Sequence, residues 1–153
     1  MSTQVVVVGS GYAGAGAVKA FEDEVGEGEA ELTWISEHDY HLVLHEVHRA
    51  IRNPAVEDKI TVPVDEIKSP ESDFVQGRVV DVDTDERVVE TDDGTTVDYD
   101  YLLLGIGSTT AFFGIEGLKE HAHQLKGLDD AKAIHEDVRE AAADATRSDP
   151  AQV

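Results

Sequence analysis

The sequence predicts an α/β fold, a parallel sheet with helices and an inserted antiparallel β-meander, and three stretches carry that reading. Residues 5–16, VVVVGSGYAGAG, run four β-branched side chains straight into Gly9, Gly11 and Gly14 and then into a helical pattern. From Asp73 to Asp98 the apolar period is 2, broken by turn residues, as antiparallel strands require. Tyr101 to Leu104 is apolar throughout, suits a central parallel strand, and ends in Gly105-Ile106-Gly107-Ser108.

Taken in order, a buried strand ends at Val8, and the turn after it has no room for side chains. The next backbone N–H groups open a helix whose positive end can hold a pyrophosphate. Gly9 serves the sharp turn, Gly11 the close approach of phosphates, and Gly14 the contact of helix with strand. Helical spacing continues through Ala17, Phe21 and Val25, a second strand covers Leu32 to Ser36, and an acid, Glu37, stands 23 positions after Gly14. This completes a Rossmann-like βαβ signature.

Residues 41–52, HLVLHEVHRAIR, place Leu44, Val47 and Ile51 at helical spacing and predict a short amphipathic helix. On it, His41, His45, His48 and Arg52 would share one stripe. Three imidazoles in a row can be a solvated edge, proton donors beside a cofactor, or metal ligands. No metal is expected, because cysteine is absent and Glu46 projects to another side.

Pro54 breaks the pattern, Val62 to Ile67 form a connecting element, and Ser69-Pro70 mark a loop. Phe74-Val75 predicts a short strand, Gly77 a turn, and Val79–Asp83 and Arg87–Thr91 two strands around a turn at 83–86. Asp92-Asp93-Gly94 is a hairpin turn, after which Thr95–Asp98 pairs back. The glycine-rich end of the Leu104 strand and the first glycine turn are expected to face one crevice, where ligands of open α/β sheets bind. Gly114 and Gly117 bracket a loop, and Leu128, Ala131, Ile134, Val138 and Ala145 mark a final helix with Asp129 and Asp130 in its first turn.

Composition narrows the function. The 153 residues suffice for one domain with a real core, and a net charge of −21 works against binding nucleic acid or anionic lipid. The acids recur along the whole chain, which fits a folded, salt-adapted, halophilic protein with an acidic surface. With no cysteine, disulfides, zinc-thiolate sites and thiol redox pairs within this chain are excluded, so electron chemistry needs a bound cofactor. No apolar run approaches the roughly 18 residues of a transmembrane segment and no signal peptide is evident, so a cytoplasmic location is expected. No residue declares itself catalytic.

The order VVVVGSGYAG, LTWISEHDYHL, DFVQGRVVDVD, YDYLLLGIGSTTAFFGIEGL and LKGLDDAKAI resembles the flavoprotein pyridine nucleotide oxidoreductases, most of all the type II NADH dehydrogenases that act as NADH:quinone reductases. The resemblance implies a FAD-binding domain that places Gly9, Gly11, Tyr12, Ala13 and Gly14 at the pyrophosphate. It puts Glu37, flanked by Ser36 and His38, at the adenosine ribose, Val79 at the adenine, and Gly105, Ile106 and Gly107 at the crevice. It implies hydride transfer from NADH to FAD and then electron transfer to a quinone or another acceptor.

Departures accompany it. The acid that usually closes the second strand is displaced from Ser36 to Glu37, Glu116 replaces a proline, and Gly105-Ile106 replaces Ala-Thr. A second nucleotide-binding glycine motif, a later Gly-Asp motif and a membrane-docking region are missing. Residues 1–147 are therefore expected to be the N-terminal part of a FAD-binding domain, and 148–153 a linker or the start of a NAD-binding domain. Peripheral membrane contact would fall to the missing C-terminal region. The isolated piece is expected to be inactive and to tend toward a homo-oligomer through surface meant for its missing half. A sulfide:quinone reductase-like flavoprotein and a stand-alone nucleotide-binding module are the alternatives.

Overall fold

A computed structural model describes residues 2–26 and 28–145. The predicted linker at 148–153 lies outside the described residues. Four strands, β1 (Thr3–Val8), β2 (Ala30–Ser36), β5 (Asp73–Gln76) and β9 (Tyr101–Leu104), form a sheet in the order β5-β2-β1-β9, with every neighbouring pair parallel. Helix α1 (Tyr12–Glu24) connects β1 to β2. The meander is β6 (Val79–Asp83), β7 (Val88–Thr91) and β8 (Thr96–Asp98), paired antiparallel in that order. Short β3 (Tyr40–Leu42) and β4 (Thr61–Pro63) pair with each other.

The valine run is explained by burial on both faces of β1. Val7, Leu32 and Trp34 pack with Ala15 and Val18 of α1 on one side, while Val6, Val8 and Ile35 pack with Val89 of the meander on the other. Strand side chains alternate faces, so only a strand covered twice reads as continuously apolar. Each such buried side chain contributes about 1.5–3 kcal/mol.

Two compact units result, the described residues up to His41 with Val62–Gly107, and Leu42–Thr61 with the described residues from Ser108 to Ala145. The second is built on helices α2 (His48–Arg52), α3 (Glu57–Ile60), α4 (Leu118–His121) and α5 (Leu128–Asp144). Its core is Val47, Ala50, Ile60, Leu128 and Ala131. Among the described residues no helix is long and apolar enough to cross a membrane.

Three expectations are corrected. The helix over 41–52 is broken: His41 lies in β3, a single 3-10 turn covers Leu44–Glu46, and α2 begins only at His48. Strand pairing and burial of His41 hold the backbone extended there, so the histidine stripe does not form, and no cluster of three potential metal ligands exists among the described residues. Strand β9 is parallel as expected but stands at the sheet edge, with Tyr101, Leu103 and Leu104 exposed. The buried stripe of α1 is Gly14, Ala15 and Val18, with Ala17 and Phe21 at its margin, and Val25 caps the helix instead of continuing it. Smaller shifts have local causes, such as β7 starting after Arg87, which adopts a left-handed φ of 58°.

Candidate functional site

The glycine turn is a mutual close packing of three glycines. Gly9 leaves β1 with φ of 100°, outside the range of ordinary residues, and its N–H donates to the Ile35 carbonyl at 2.8 Å. A Cβ on Gly9 would collide with the Gly105 carbonyl oxygen, and one on Gly14 with the Gly9 carbonyl oxygen. A Cβ on Gly105 would lie 3.0 Å from the Gly14 nitrogen and 3.1 Å from the Val8 oxygen, while the Gly105 N–H donates to that oxygen at 2.7 Å. The two glycine-rich strand ends therefore touch, as the parallel pairing of β1 with β9 requires.

Gly11 differs from its neighbours, because nothing lies within 4 Å of the position its Cβ would take. It is the N-cap of α1, and no side chain caps this end. The first intrahelical bond there runs from the Ala15 N–H to the Gly11 carbonyl at 2.9 Å, so the Tyr12, Ala13 and Gly14 N–H groups precede it. The chain holds 33 acidic residues, yet none stands in the first turn of α1. Helix α5 shows the opposite solution: Asp129 and Asp130 occupy its first turn, and the Asp130 carboxylate accepts from the N–H groups of Lys126 and Gly127 at 2.7 and 2.9 Å. One helix carries carboxylates at its positive end, and the other carries none there, a difference that suits the second to an external anion.

Side chains from β2 and β3 brace the turn from below. The Trp34 indole N–H donates to the Gly9 carbonyl at 2.9 Å. The Ser36 hydroxyl donates to the Ser10 hydroxyl at 2.9 Å, and His41 Nδ1 meets the Ser10 carbonyl at 2.7 Å. Trp34, Ser10, Ser36 and His41 are all buried. Tyr12 meets the His41 ring edge-on, with centroids 4.7 Å apart.

The remaining expected residues take varied positions. Ser36 is engaged with Ser10 and turned into the structure, whereas Glu37, one step on, is exposed, and its carbonyl accepts from the Gln76 side chain at 3.2 Å. His38 is exposed and stacks on Tyr40. Val79 opens β6, half-buried against the cluster of Val6, Val8 and Ile35. Ile106 is 72% exposed, and Gly107 has φ of 69° with open space where a side chain would be. His45 lies in the 3-10 turn and His48 opens α2; both are exposed and belong to the second unit. Ser10, Trp34 and His41 are the bracing residues that local sequence patterns do not announce. The only hint was a tryptophan and two hydroxyls at strand ends flanking the glycine motif.

The family model for pyridine nucleotide-disulphide oxidoreductases matches residues 3–146. The type II NADH:quinone oxidoreductase of Staphylococcus aureus is 33% identical over 132 residues, covering 86% of this chain and 33% of that protein. Among solved structures, the sulfide:quinone oxidoreductase of Aquifex aeolicus superposes with a TM-score of 0.77 at 23% identity, covering 94% of this chain and 33% of that one. The water-forming NADH oxidase of Lactobacillus brevis, bound to NADH, superposes with a TM-score of 0.74 at 24% identity, covering 92% and 33%. The chain thus spans about a third of the length of these relatives.

Proposed function

Since the chain belongs to the pyridine nucleotide-disulphide oxidoreductase family, we propose that it is the FAD-binding portion of a flavin-dependent NADH dehydrogenase. In that reading NADH delivers a hydride to FAD, and a quinone-type acceptor takes the electrons. The observation that carries it is the α1 N-terminus: uncapped, free of acids, and fronted by a Gly11 whose missing side chain leaves open space.

The chain's own chemistry fits a dinucleotide pyrophosphate. The N–H groups of Tyr12, Ala13 and Gly14 would hold the phosphates, and Glu37 would accept from a ribose hydroxyl. Val79 would flank the adenine, and Gly105, Ile106 and Gly107 would line the approach to the crevice. When bound, a flavin supplies hydride acceptance and electron release, and the protein supplies binding, orientation and electrostatics. The relative of Staphylococcus aureus, an NADH:quinone oxidoreductase, supports the choice of donor and acceptor. Sulfide:quinone reduction is not favoured, because the likeness to that enzyme stands at 23% identity and speaks for the fold alone.

The test is titration of the chain with FAD and with ADP, followed by fluorescence or equilibrium dialysis, for the wild type and Gly11→Val. Saturable binding weakened about tenfold or more by Gly11→Val is expected, since the valine fills the space the phosphates would enter. Absence of FAD and ADP binding by the wild type, both alone and within a longer chain that carries the rest of the enzyme, or indifference to Gly11→Val, would refute the assignment.

A further inference from the structure

The peptide unit is planar, so gripping its carbonyl from one side aims the N–H of the next residue to the other side. At the glycine turn two consecutive carbonyls are gripped by ring nitrogens: Gly9 by Trp34 Nε1 at 2.9 Å and Ser10 by His41 Nδ1 at 2.7 Å. All peptide bonds there are trans, so the Ser10 and Gly11 N–H groups point away from those rings. A carbonyl can only accept, so His41 carries its proton on Nδ1. The T-shaped contact of Tyr12 with the His41 ring and the Ser36 to Ser10 hydroxyl bond at 2.9 Å leave little freedom in the arrangement.

We propose that His41 is a positioning residue of the anion site: by holding the Ser10 carbonyl it keeps that oxygen's negative charge away from the phosphates and aims the Gly11 N–H at them. The inference rests on the reading of this turn as a pyrophosphate site. It gives a single histidine two effects that separate on mutation, one on the fold through a buried carbonyl, the other on anion binding through an amide it never touches. Held in place before the ligand arrives, the turn pays no reorganisation cost on binding.

Two amide variants separate the roles. Asn at position 41 places an amide N–H where Nδ1 stands, whereas Gln places the same group one bond farther out, beyond the Ser10 carbonyl. Wild type, His41→Asn, His41→Gln and His41→Leu are titrated with FAD and with ADP, and their thermal midpoints are recorded without ligand. His41→Asn should bind within about threefold of wild type, and His41→Gln about tenfold or more weakly, as the loss of one oriented donor to a charged group implies. His41→Leu should match His41→Gln in binding if it folds, and the Asn and Gln pair decides the matter if it does not. Binding by His41→Gln equal to wild type, or a loss in His41→Asn equal to that in His41→Gln, would overturn the inference and leave the pyrophosphate reading standing. A wild-type chain that binds neither FAD nor ADP, alone or within a longer chain that carries the rest of the enzyme, would instead remove the reading itself.

Discussion

One chemical change, glycine to alanine, should give three different outcomes at three positions of one glycine-rich stretch. At Gly14 the added methyl overlaps the Gly9 carbonyl oxygen, which is itself fixed by the Trp34 indole, so neither partner can retreat cheaply. Overpacking of this kind costs about 1–3 kcal/mol even after the helix gains from losing a glycine. At Gly16, in the exposed face of α1, nothing lies within 4 Å, and alanine should stabilise by about 0.5–1 kcal/mol through backbone entropy and helix propensity. At Gly11 the space is equally open and φ is −71°, which alanine adopts, so stability should stay within about 1 kcal/mol of wild type. For a chain of this size about 2–4 °C accompanies each kcal/mol, so Gly14→Ala and Gly16→Ala should melt roughly 10 °C apart. The assay is built in: Trp34 is the sole tryptophan, is fully buried, and its indole nitrogen lies 3.5 Å from the site of a Gly14 Cβ. Its emission during urea or thermal unfolding reports all three variants. A Gly14→Ala protein as stable as Gly16→Ala would refute the close packing of Gly9, Gly14 and Gly105.

Further outcomes follow from other contacts. Trp34→Phe keeps an aromatic ring but leaves the Gly9 carbonyl without its buried donor, so urea unfolding should show a loss of about 1–3 kcal/mol beyond the packing change; an unchanged midpoint would deny the bond that weight. The Asp93 carboxyl is held below its usual range by the Thr91 hydroxyl at 2.7 Å and then by the Thr95 N–H at 2.9 Å. Because the folded value is the depressed one, the stabilisation it gives is complete above about pH 4 and is lost as pH falls through that lower value. The gap in midpoint between wild type and Asp93→Asn should therefore close on acidification, and a gap that widens would contradict the sign. Raising ionic strength from 0.01 to 0.15 M shortens the screening length from about 30 Å to about 8 Å. A chain of net charge −21 should gain thermal stability across that range, and a melting temperature that falls with added potassium chloride would argue against self-repulsion as a main cost.

What could be read from the sequence was local, and what could not was long-range. Gly9, Gly11 and Gly14 announce themselves because a strand, a tight turn and a helix follow within a dozen residues, and the hairpin at Asp92-Asp93-Gly94 does so for the same reason. An apolar run says how a strand is built and not how many neighbours the sheet supplies, so β9 stands at the sheet edge with Leu103 and Leu104 apolar and exposed all the same. The histidine spacing at 41, 45 and 48 matched a helix, but His41 finds its partner at Ser10, 31 residues back, and that bond fixes the backbone where periodicity would have wound it. Trp34 and Ser36 likewise reach back 25 and 26 residues. A glycine motif is in this sense only half of an anion site. The glycines permit the turn by taking side chains away, but permission leaves several peptide orientations open, and the choice among them falls to donors on the neighbouring strands. Two proteins with the same glycines and different residues at the positions of Trp34, Ser36 and His41 should therefore share the fold and differ in how tightly they hold a phosphate, a difference that titration of matched variants can measure.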